Sequence, residues 1–370
     1  MLEGVKILEI EGIGPGPFAG MTLADLGAEV TVVHRKGGKA TPGIGSRPLI
    51  VERGKKSIAL DLKDPADLAV VKALIARSDA LIEGFRPGVM ERLGLGPDVA
   101  HALRPSLVYG RVTGWGQSGP RAQQAGHDLN YLSLCGGAYF ASPPGQPPVP
   151  PPTMVGDVAG GALYLVIGIL SGVLRARATG QGCVVDAAIV DGSAHMMNLL
   201  MSLGSGMSMA RGNSLLDGPH WSACYRCADG RFVSVQCLEP QFYAEFLRIL
   251  GLSDDPDFRH QMEPSLWPSL KKRLAETFAR HPRAHWAALF DGSDACVAPV
   301  LDPAEAAADP HMASRGSWLR VDEGLQAAPA PRFGEAAYTP GRIPRRDEHR
   351  DEILAAVAAS ATAEPAAPGV

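Results

Sequence analysis

The sequence has 370 residues, of which 46% are hydrophobic and 20% charged, a composition that excludes wholesale disorder and predicts a folded chain of about two to three domains. The formal net charge of −4 excludes the strong basic excess of a protein that binds nucleic acid through its phosphates. Six cysteines in a chain of this length indicate reduced thiols and a cytoplasmic location rather than a disulfide scaffold.

The chain opens with the pattern of one βαβ unit. VKILEI (5–10) predicts a buried strand, EGIGPGPF a turn, AGMTLADLG a helix and EVTVV (29–33) a second strand. Further apolar runs predict strands at 57–62, 80–85 and 107–112, with helical segments between them. Strands that alternate with helices predict the α/β class with a parallel sheet.

Two segments in the middle of the chain are unusual. Residues 142–152, SPPGQPPVPPP, predict an extended strap. Residues 158–174 carry no charge, but they lie at the short limit for a membrane span and contain four glycines. We therefore expect a buried core helix there and no membrane association. The N-terminus lacks the apolar run of a signal peptide.

The last third of the chain predicts a smaller unit. Strand patterns at RFVSVQC and ACVAPVL enclose three helical patterns. We expect a large domain over residues 1–200, onto which 313–350 wrap back, and a small α+β domain over 220–312. The low-complexity residues 355–370 are expected to be disordered.

Two features near the N-terminus could bind phosphates. Gly12 to Pro17 partly imitates GxGxxG, with Pro17 at the third glycine position, and Arg35 ends the second strand. A nicotinamide-dependent oxidoreductase is therefore one alternative. Residues 31–63 contain eight basic residues against two acidic ones, which suits a ligand with several phosphates, such as coenzyme A, or simply a solvated basic loop.

Three titratable groups are candidates for acid–base chemistry. His127 lies in GHDLNY in a predicted loop, Asp157 immediately precedes a predicted helix, and Glu239 precedes Pro240 at the start of another. Each carboxylate could merely cap its helix, whereas His127 and Asp157 could be two bases facing one carbon. Cys224 and Cys227 form a lone CxxC without a second pair, so we expect no metal site.

The order of several motifs resembles the class III CoA-transferase family. They include GVKILEIEGIGPGPFAGMTLADLGAEV, ERGKKSIALDLK, FRPGVMERLGLGP, GRVTGWGQSGP, AGHDLNYLSLCGG, GDVAGG and EPQFYAEFL. Within that family the chain is most similar to the α-methylacyl-CoA racemases, over residues 3–320. The resemblance implies an interlocked homodimer, in which each chain has a large Rossmann-like domain and a small α+β domain.

The resemblance also implies roles for individual residues. His127 and Asp157 match the catalytic histidine and aspartate of the racemases, and Glu239 matches a glutamate that approaches the histidine across the dimer interface. The positions that match coenzyme A contacts are Arg35, Leu60, Asp61, Leu62, Lys63, Arg86, Arg92, Gly126, Asp128, Leu129, Asn130 and Tyr131.

The implied activity is that of an isomerase of fatty acid and lipid metabolism, which interconverts (R) and (S) 2-methylacyl-CoA thioesters through an enolate. Coenzyme A is then part of the substrate, and no metal, flavin or nicotinamide is required. Transferase members use the aspartate that matches Asp157 as a nucleophile, so a CoA-transferase is the alternative, and a non-catalytic CoA-ester binding protein is another. The five methionines between 196 and 209 predict an apolar surface for the acyl chain.

Overall fold

The computed structural model describes residues 1–37, 49–203, 208–321, 324–334 and 339–361. The chain forms two compact units. The first contains Met1–Cys135, Pro151–His195 and the segment from Ser314 onwards, and the second contains Gly136–Pro150 and Met196–Ala313. The proline-rich residues 142–150 thus belong to the second unit, whereas the sequence places them in a large domain over residues 1–200.

A six-stranded parallel sheet forms the centre of the first unit, with the strand order β3-β2-β1-β4-β5-β6. This order confirms the α/β class and the Rossmann-like domain. Every predicted strand is present within about two residues of its predicted bounds. The strands are β1 (Lys6–Ile10), β2 (Glu29–Arg35), β3 (Lys56–Leu60), β4 (Ala80–Glu83), β5 (Val108–Thr113) and β6 (Cys183–Ala188).

Helices follow the strands of this sheet. A short 3-10 helix, Ile50–Glu52, precedes β3, and a π-helix, Met154–Ala162, runs directly into a long α-helix. The α-helices of this part are α1 (Pro15–Asp25), α2 (Pro65–Ile75), α3 (Val89–Arg92), α4 (Pro97–Leu103), α5 (Asp128–Leu134), α6 (Leu163–Thr179) and α7 (Ile189–Leu203). The last of these crosses from the first unit into the second.

The apolar segment predicted as a core helix forms α6. Leu165, Ile169 and Val173 are buried in the same cluster as Val108 of β5. Among the described ranges, Met154–Thr179 is the helical stretch long and apolar enough to cross a membrane, and 44% of its most apolar window is buried. The packing of one face against the sheet favours the core-helix interpretation.

The second unit contains a three-stranded antiparallel sheet of β7 (Ser222–Arg226), β8 (Phe232–Gln236) and β9 (Val297–Pro299). Its helices are α8 (Pro240–Leu250), α9 (Trp267–Phe278), α10 (Arg283–Phe290), α11 (Pro303–Ala308) and α12 (Pro310–Ser314), the last ending at the boundary of the unit. Aromatic side chains dominate the core, where Phe246 stacks with Phe278 and Phe290.

The end of the chain belongs to the first unit. It contains the hairpin strands β10 (Trp318–Val321) and β11 (Gly324–Ala327) and the helix α13 (Arg350–Ala361). Ile353 is buried in the same cluster as Val71 and Ile75 of α2. The prediction of disorder from residue 355 is therefore wrong as far as Ala361, because the low-complexity sequence continues a helix that packs on the domain. Residues 362–370 lie outside the described ranges.

Candidate active site

A cavity of about 610 Å³ lies at the carboxyl edge of the parallel sheet. Loops that follow β1, β4 and β5 contribute to it, so it lies where the strand order reverses between β1 and β4. Ligands of open α/β sheets bind at this topological position. The lining consists of residues 11–15, Arg35, residues 84–87, residues 112–115, Ala122, residues 124–127, Tyr131, Asp157, Ile189 and Arg346.

The turn between β1 and α1 forms one wall. Gly14 adopts a φ of 73°, which glycine tolerates best, and Pro15 begins α1 at its first position. The helix thus starts four residues earlier than the sequence predicts. A Cβ atom on Gly14 would lie 3.6 Å from Oδ2 of Asp157, so the Asp157 carboxylate lies against this turn.

Asp157 lies inside the π-helix, three residues after its start. The prediction that Asp157 immediately precedes a helix is therefore wrong. Glycines explain the local packing: a Cβ on Gly156 would lie 2.5 Å from Oδ1 of Asp128, and one on Gly160 would lie 2.9 Å from the backbone nitrogen of Ser193. Such π-turns are frequent at functional sites, and this one directs Asp157 into the cavity.

The surroundings of Asp157 disfavour its charged form. Burial, and after it the negative charge of Asp128, raise the pKa of Asp157 to about 6, while His127 acts in the opposite direction. The backbone N–H of Asp157 donates to Oδ1 of Asp128 at 2.8 Å. Asp157 can consequently exchange a proton near neutral pH, as a general acid or base must.

His127 lies on the same cavity. It is the last residue of the predicted loop and the N-cap of α5, whereas Asp128, predicted in the same loop, begins the helix. Its backbone N–H donates to Oδ1 of Asn130 at 3.0 Å, and its backbone oxygen accepts from the N–H of Asn130 at 2.8 Å. These bonds fix the main chain. The imidazole is exposed and lines the cavity together with Asp157, whose pKa it lowers.

Tyr131 supports the loop that carries His127. Its hydroxyl donates to the backbone oxygen of Gly126, and its ring packs edge-on against Trp115 with centroids 4.7 Å apart. Burial, and after it the charge of Asp157, raise the pKa of Tyr131 to about 12. The phenol therefore stays protonated and acts as a donor at neutral pH.

The twelve residues predicted to contact coenzyme A divide into three groups. Arg35, Arg86, Gly126 and Tyr131 line the cavity. The side chain of Leu60 is fully buried, and its backbone oxygen accepts from the N–H of Lys36. The remaining members lie outside the described lining: Asp61, Leu62, Lys63, Arg92, Asp128, Leu129 and Asn130. Contact of coenzyme A with any of these twelve residues stays a prediction.

Several of the eight basic residues at 31–63 form ion pairs within the fold. Arg53 is buried and pairs with Asp25 at 2.5 Å, and Lys55 is buried and pairs with Glu9 at 2.7 Å. Lys56 pairs with Glu352 at 2.8 Å. The interpretation of the whole run as a phosphate site is therefore wrong for these three positions. Lys39 and Arg47 lie outside the described residues.

Two charged residues of the cavity, Glu11 and Arg346, are not among the residues predicted from the sequence. Nη1 and Nη2 of Arg346 donate to the two oxygens of Glu11 at 2.7 and 2.9 Å. Although burial opposes the effect, hydrogen bonds from His34, Arg346 and the backbone of Arg35 hold the pKa of Glu11 well below its usual range. The position of Glu11 directly after a buried strand is a signal that could have identified it. No local pattern marks Arg346.

Glu239 lies in the second unit and is the N-cap of α8, with Pro240 at the first helical position. This confirms the predicted helix start. The side chain is exposed, and its approach to a histidine of a partner chain stays a prediction. Cys227 is buried and Cys224 exposed. Within the described ranges, no cluster of three or more His, Cys, Asp or Glu residues could hold a metal ion.

The methionine segment begins on α7. Met201 is 54% exposed, and the apolar side chains of Leu199 and Leu203 nearby are also exposed. Met196 and Met197 are half-buried. Met209 is half-buried too, while Met207 lies outside the described residues. An exposed apolar helix face is compatible with the predicted acyl-chain surface, which stays a prediction.

The chain is similar to proteins of known sequence and structure along nearly its whole length. It is 41% identical over 360 residues to human alpha-methylacyl-CoA racemase, covering 95% of this chain and 92% of the relative. Human succinyl-CoA:glutarate CoA-transferase is 30% identical, covering 95% and 85%. The crystal structure of a CaiB/BaiF family protein from Brucella suis superposes with a TM-score of 0.82 at 27% identity, covering 96% of this chain and 98% of that one. Residues 2–350 match the family model of CoA-transferase family III, and the chain therefore belongs to that family.

Proposed function

We propose that this protein is a racemase that interconverts the (R) and (S) forms of 2-methylacyl-CoA thioesters. The observation that carries the proposal is the presence of His127 and Asp157 on one cavity, with the pKa of Asp157 raised to about 6. The similarity to human alpha-methylacyl-CoA racemase over 95% of the chain supports the same conclusion.

The chemistry requires two groups on opposite faces of one carbon. The hydrogen beside a thioester carbonyl is a weak acid, so its removal needs a positioned base and stabilisation of the enolate. In one direction neutral His127 takes the proton while protonated Asp157 supplies another to the opposite face. In the reverse direction ionised Asp157 takes the proton and the imidazolium of His127 returns one. The raised pKa of Asp157 makes its protonated form accessible near neutral pH.

The cavity also provides cations for the coenzyme A part of the substrate. Arg35 follows the carboxyl end of β2 and Arg86 lies in the loop after β4, and both line the cavity. Guanidinium groups bind phosphates through paired, charge-assisted hydrogen bonds. We therefore assign the phosphates of coenzyme A to the side of the cavity that carries Arg35 and Arg86.

A CoA-transferase is the competing function, because relatives named as CoA-transferases match the chain at about 30% identity. In that reaction the Asp157 carboxylate would attack the thioester carbonyl, release the CoA thiolate and form a mixed anhydride. The presence of His127 beside Asp157 favours proton transfer over this nucleophilic attack. From the family to which the chain belongs, we further propose a cytoplasmic homodimer acting in lipid metabolism, in which Glu239 of the partner subunit approaches His127.

The test combines a chiral assay with a trapping assay. Purified protein is incubated with one enantiomer of a 2-methylacyl-CoA, and the acyl group is hydrolysed and resolved by chiral chromatography. We expect conversion to an equal mixture, and no CoA transfer to an added carboxylic acid. A covalent adduct at Asp157 that hydroxylamine cleaves, together with CoA transfer and retained configuration, would establish the transferase instead.

A further inference from the structure

Glu11 gathers hydrogen bonds from three neighbours at the cavity. It accepts from both terminal nitrogens of Arg346 at 2.7 and 2.9 Å, from the backbone N–H of Arg35 at 2.7 Å, and contacts Nδ1 of His34 at 3.1 Å. A carboxylate that meets a guanidinium through two parallel bonds has a fixed orientation. Glu11 therefore holds the end of β2 in one place.

Arg346 completes a clamp around the main chain of Arg35. Its Nη2 also donates to the backbone oxygen of Arg35 at 2.6 Å. The N–H of Arg35 is bound by Glu11 and its C=O by Arg346, so both polar groups of this residue are held by one ion pair. The side chain of Arg35 remains on the cavity wall.

The segment around Arg346 is itself anchored on the edge of the sheet. β3 is the terminal strand of the sheet, and its unpaired backbone groups bind the C-terminal segment. Oδ1 of Asp347 accepts from the N–H of Ala59 at 2.7 Å, and Nδ1 of His349 accepts from the N–H of Ser57 at 3.1 Å. The C-terminal segment thus covers an otherwise open edge of the sheet. These hydrogen bonds hold the backbone that carries Arg346 beside the cavity.

We infer that Arg346 is a positioning residue for coenzyme A, which acts through Glu11 and the backbone of Arg35 rather than on the reacting carbon. The inference rests on the proposed binding of a CoA thioester in this cavity. It follows that the loss of Arg346 weakens binding of the nucleotide end of the substrate and spares the chemistry at His127 and Asp157.

The experiment compares Arg346→Ala with the matched control Arg345→Ala, which removes the same charge from the adjacent exposed position. Kd is measured by calorimetry with coenzyme A as the probe. KM and kcat are measured with a 2-methylacyl-CoA and with the corresponding pantetheine thioester, which lacks the nucleotide. We expect Arg346→Ala to raise Kd and the KM for the CoA ester roughly tenfold, with kcat and the kinetics of the pantetheine ester unchanged.

Glu11→Gln provides a second variant that removes the ion pair while it keeps a side chain able to accept hydrogen bonds. We expect Glu11→Gln to raise the Kd for coenzyme A, as Arg346→Ala does. Equal Kd values for Arg346→Ala and Arg345→Ala would overturn the inference. An equal increase in KM for the CoA ester and the pantetheine ester would overturn it too. Wild-type protein that binds coenzyme A without racemising the thioester would contradict the proposed function alone, because the comparison of Kd values does not depend on turnover.

Discussion

Oδ1 of Asp128 accepts a hydrogen bond from the backbone N–H of Asp157 at 2.8 Å. The two carboxylates thus belong to adjacent segments, α5 and the π-helix, that meet where Gly156 leaves room for the Asp128 side chain. The contact orients the backbone of Asp157, and the negative charge of Asp128 adds to burial in raising the pKa of Asp157. A position implied by resemblance to contact coenzyme A therefore raises the pKa of the proposed catalytic aspartate.

We predict that Asp128→Asn lowers the pKa of Asp157 below about 6. Asparagine retains an oxygen for the N–H of Asp157 but removes the neighbouring negative charge, so ionised Asp157 becomes less unfavourable. The limb of the kcat/KM profile that reports Asp157 should move to lower pH in both reaction directions. Asp98→Asn, on the exposed face of α4, is the control, and an unmoved profile in Asp128→Asn would exclude the proposed tuning.

We predict that Asp157→Asn abolishes racemisation and stabilises the fold at neutral pH. Asp157 has a pKa of about 6 in the folded chain, against an ordinary value of 3.8. The unfolded chain binds fewer protons between these values, so the wild-type contribution of Asp157 to stability falls as the pH rises through this window. Denaturant unfolding should show a gain of about 1–2 kcal/mol at pH 7.5 and almost none at pH 4. An equal gain at both pH values would contradict the raised pKa.

His127→Ala should abolish racemisation in both directions, because each direction uses the imidazole as base or as acid. Binding of a CoA ester should stay close to that of the wild type, since the phosphates are assigned to Arg35 and Arg86. Chiral chromatography and calorimetry provide the two readouts. His260→Ala, at an exposed position of the second unit, controls for the loss of an imidazole, and full activity of His127→Ala would refute the two-base mechanism.

Arg53→Ala should act on stability, in contrast to the phosphate-binding role that the basic run suggests. Arg53 and Asp25 form a pair whose side chains are 4% and 5% exposed, so removal of the guanidinium leaves a buried carboxylate without its partner. We expect a loss of about 3–5 kcal/mol in the free energy of unfolding. Lys36→Ala removes a lysine that is 56% exposed from its pair with the largely buried Asp67. It should cost less than about 1 kcal/mol, because the lysine is solvated and Asp67 keeps the hydrogen bond from the backbone N–H of Asp61. Comparable losses for both variants would contradict this assignment.

The sequence predicts most of the sheet because apolar runs and Gly or Pro turns are local signals. The strands β1 to β5 and the helix start at Pro240 were predicted from such signals. The resemblance supplied His127 and Asp157, which the structure places on one cavity. From spacing alone, each of the two residues could equally have had a purely structural role.

Other features depend on contacts between distant residues and could not be predicted locally. The π-helix around Asp157 has an apolar, glycine-rich sequence that suits an α-helix equally well. The pairs Arg53–Asp25 and Arg346–Glu11 join residues far apart in the chain, so no sequence spacing reveals them. The buried pairing of Arg53 and Lys55 within the basic run is unpredictable for the same reason, since a buried cation and an exposed cation have the same sequence signature.

The most direct test of the account follows the α-hydrogen itself. One enantiomer of a 2-methylacyl-CoA is mixed with the purified protein in deuterated water and observed by proton NMR. We predict that the α-hydrogen signal disappears at the rate at which the opposite epimer forms, because each inversion returns a solvent-derived proton. Retention of both the α-hydrogen and the configuration, with CoA moving to an added carboxylic acid, would contradict racemisation and make Asp157 a nucleophile.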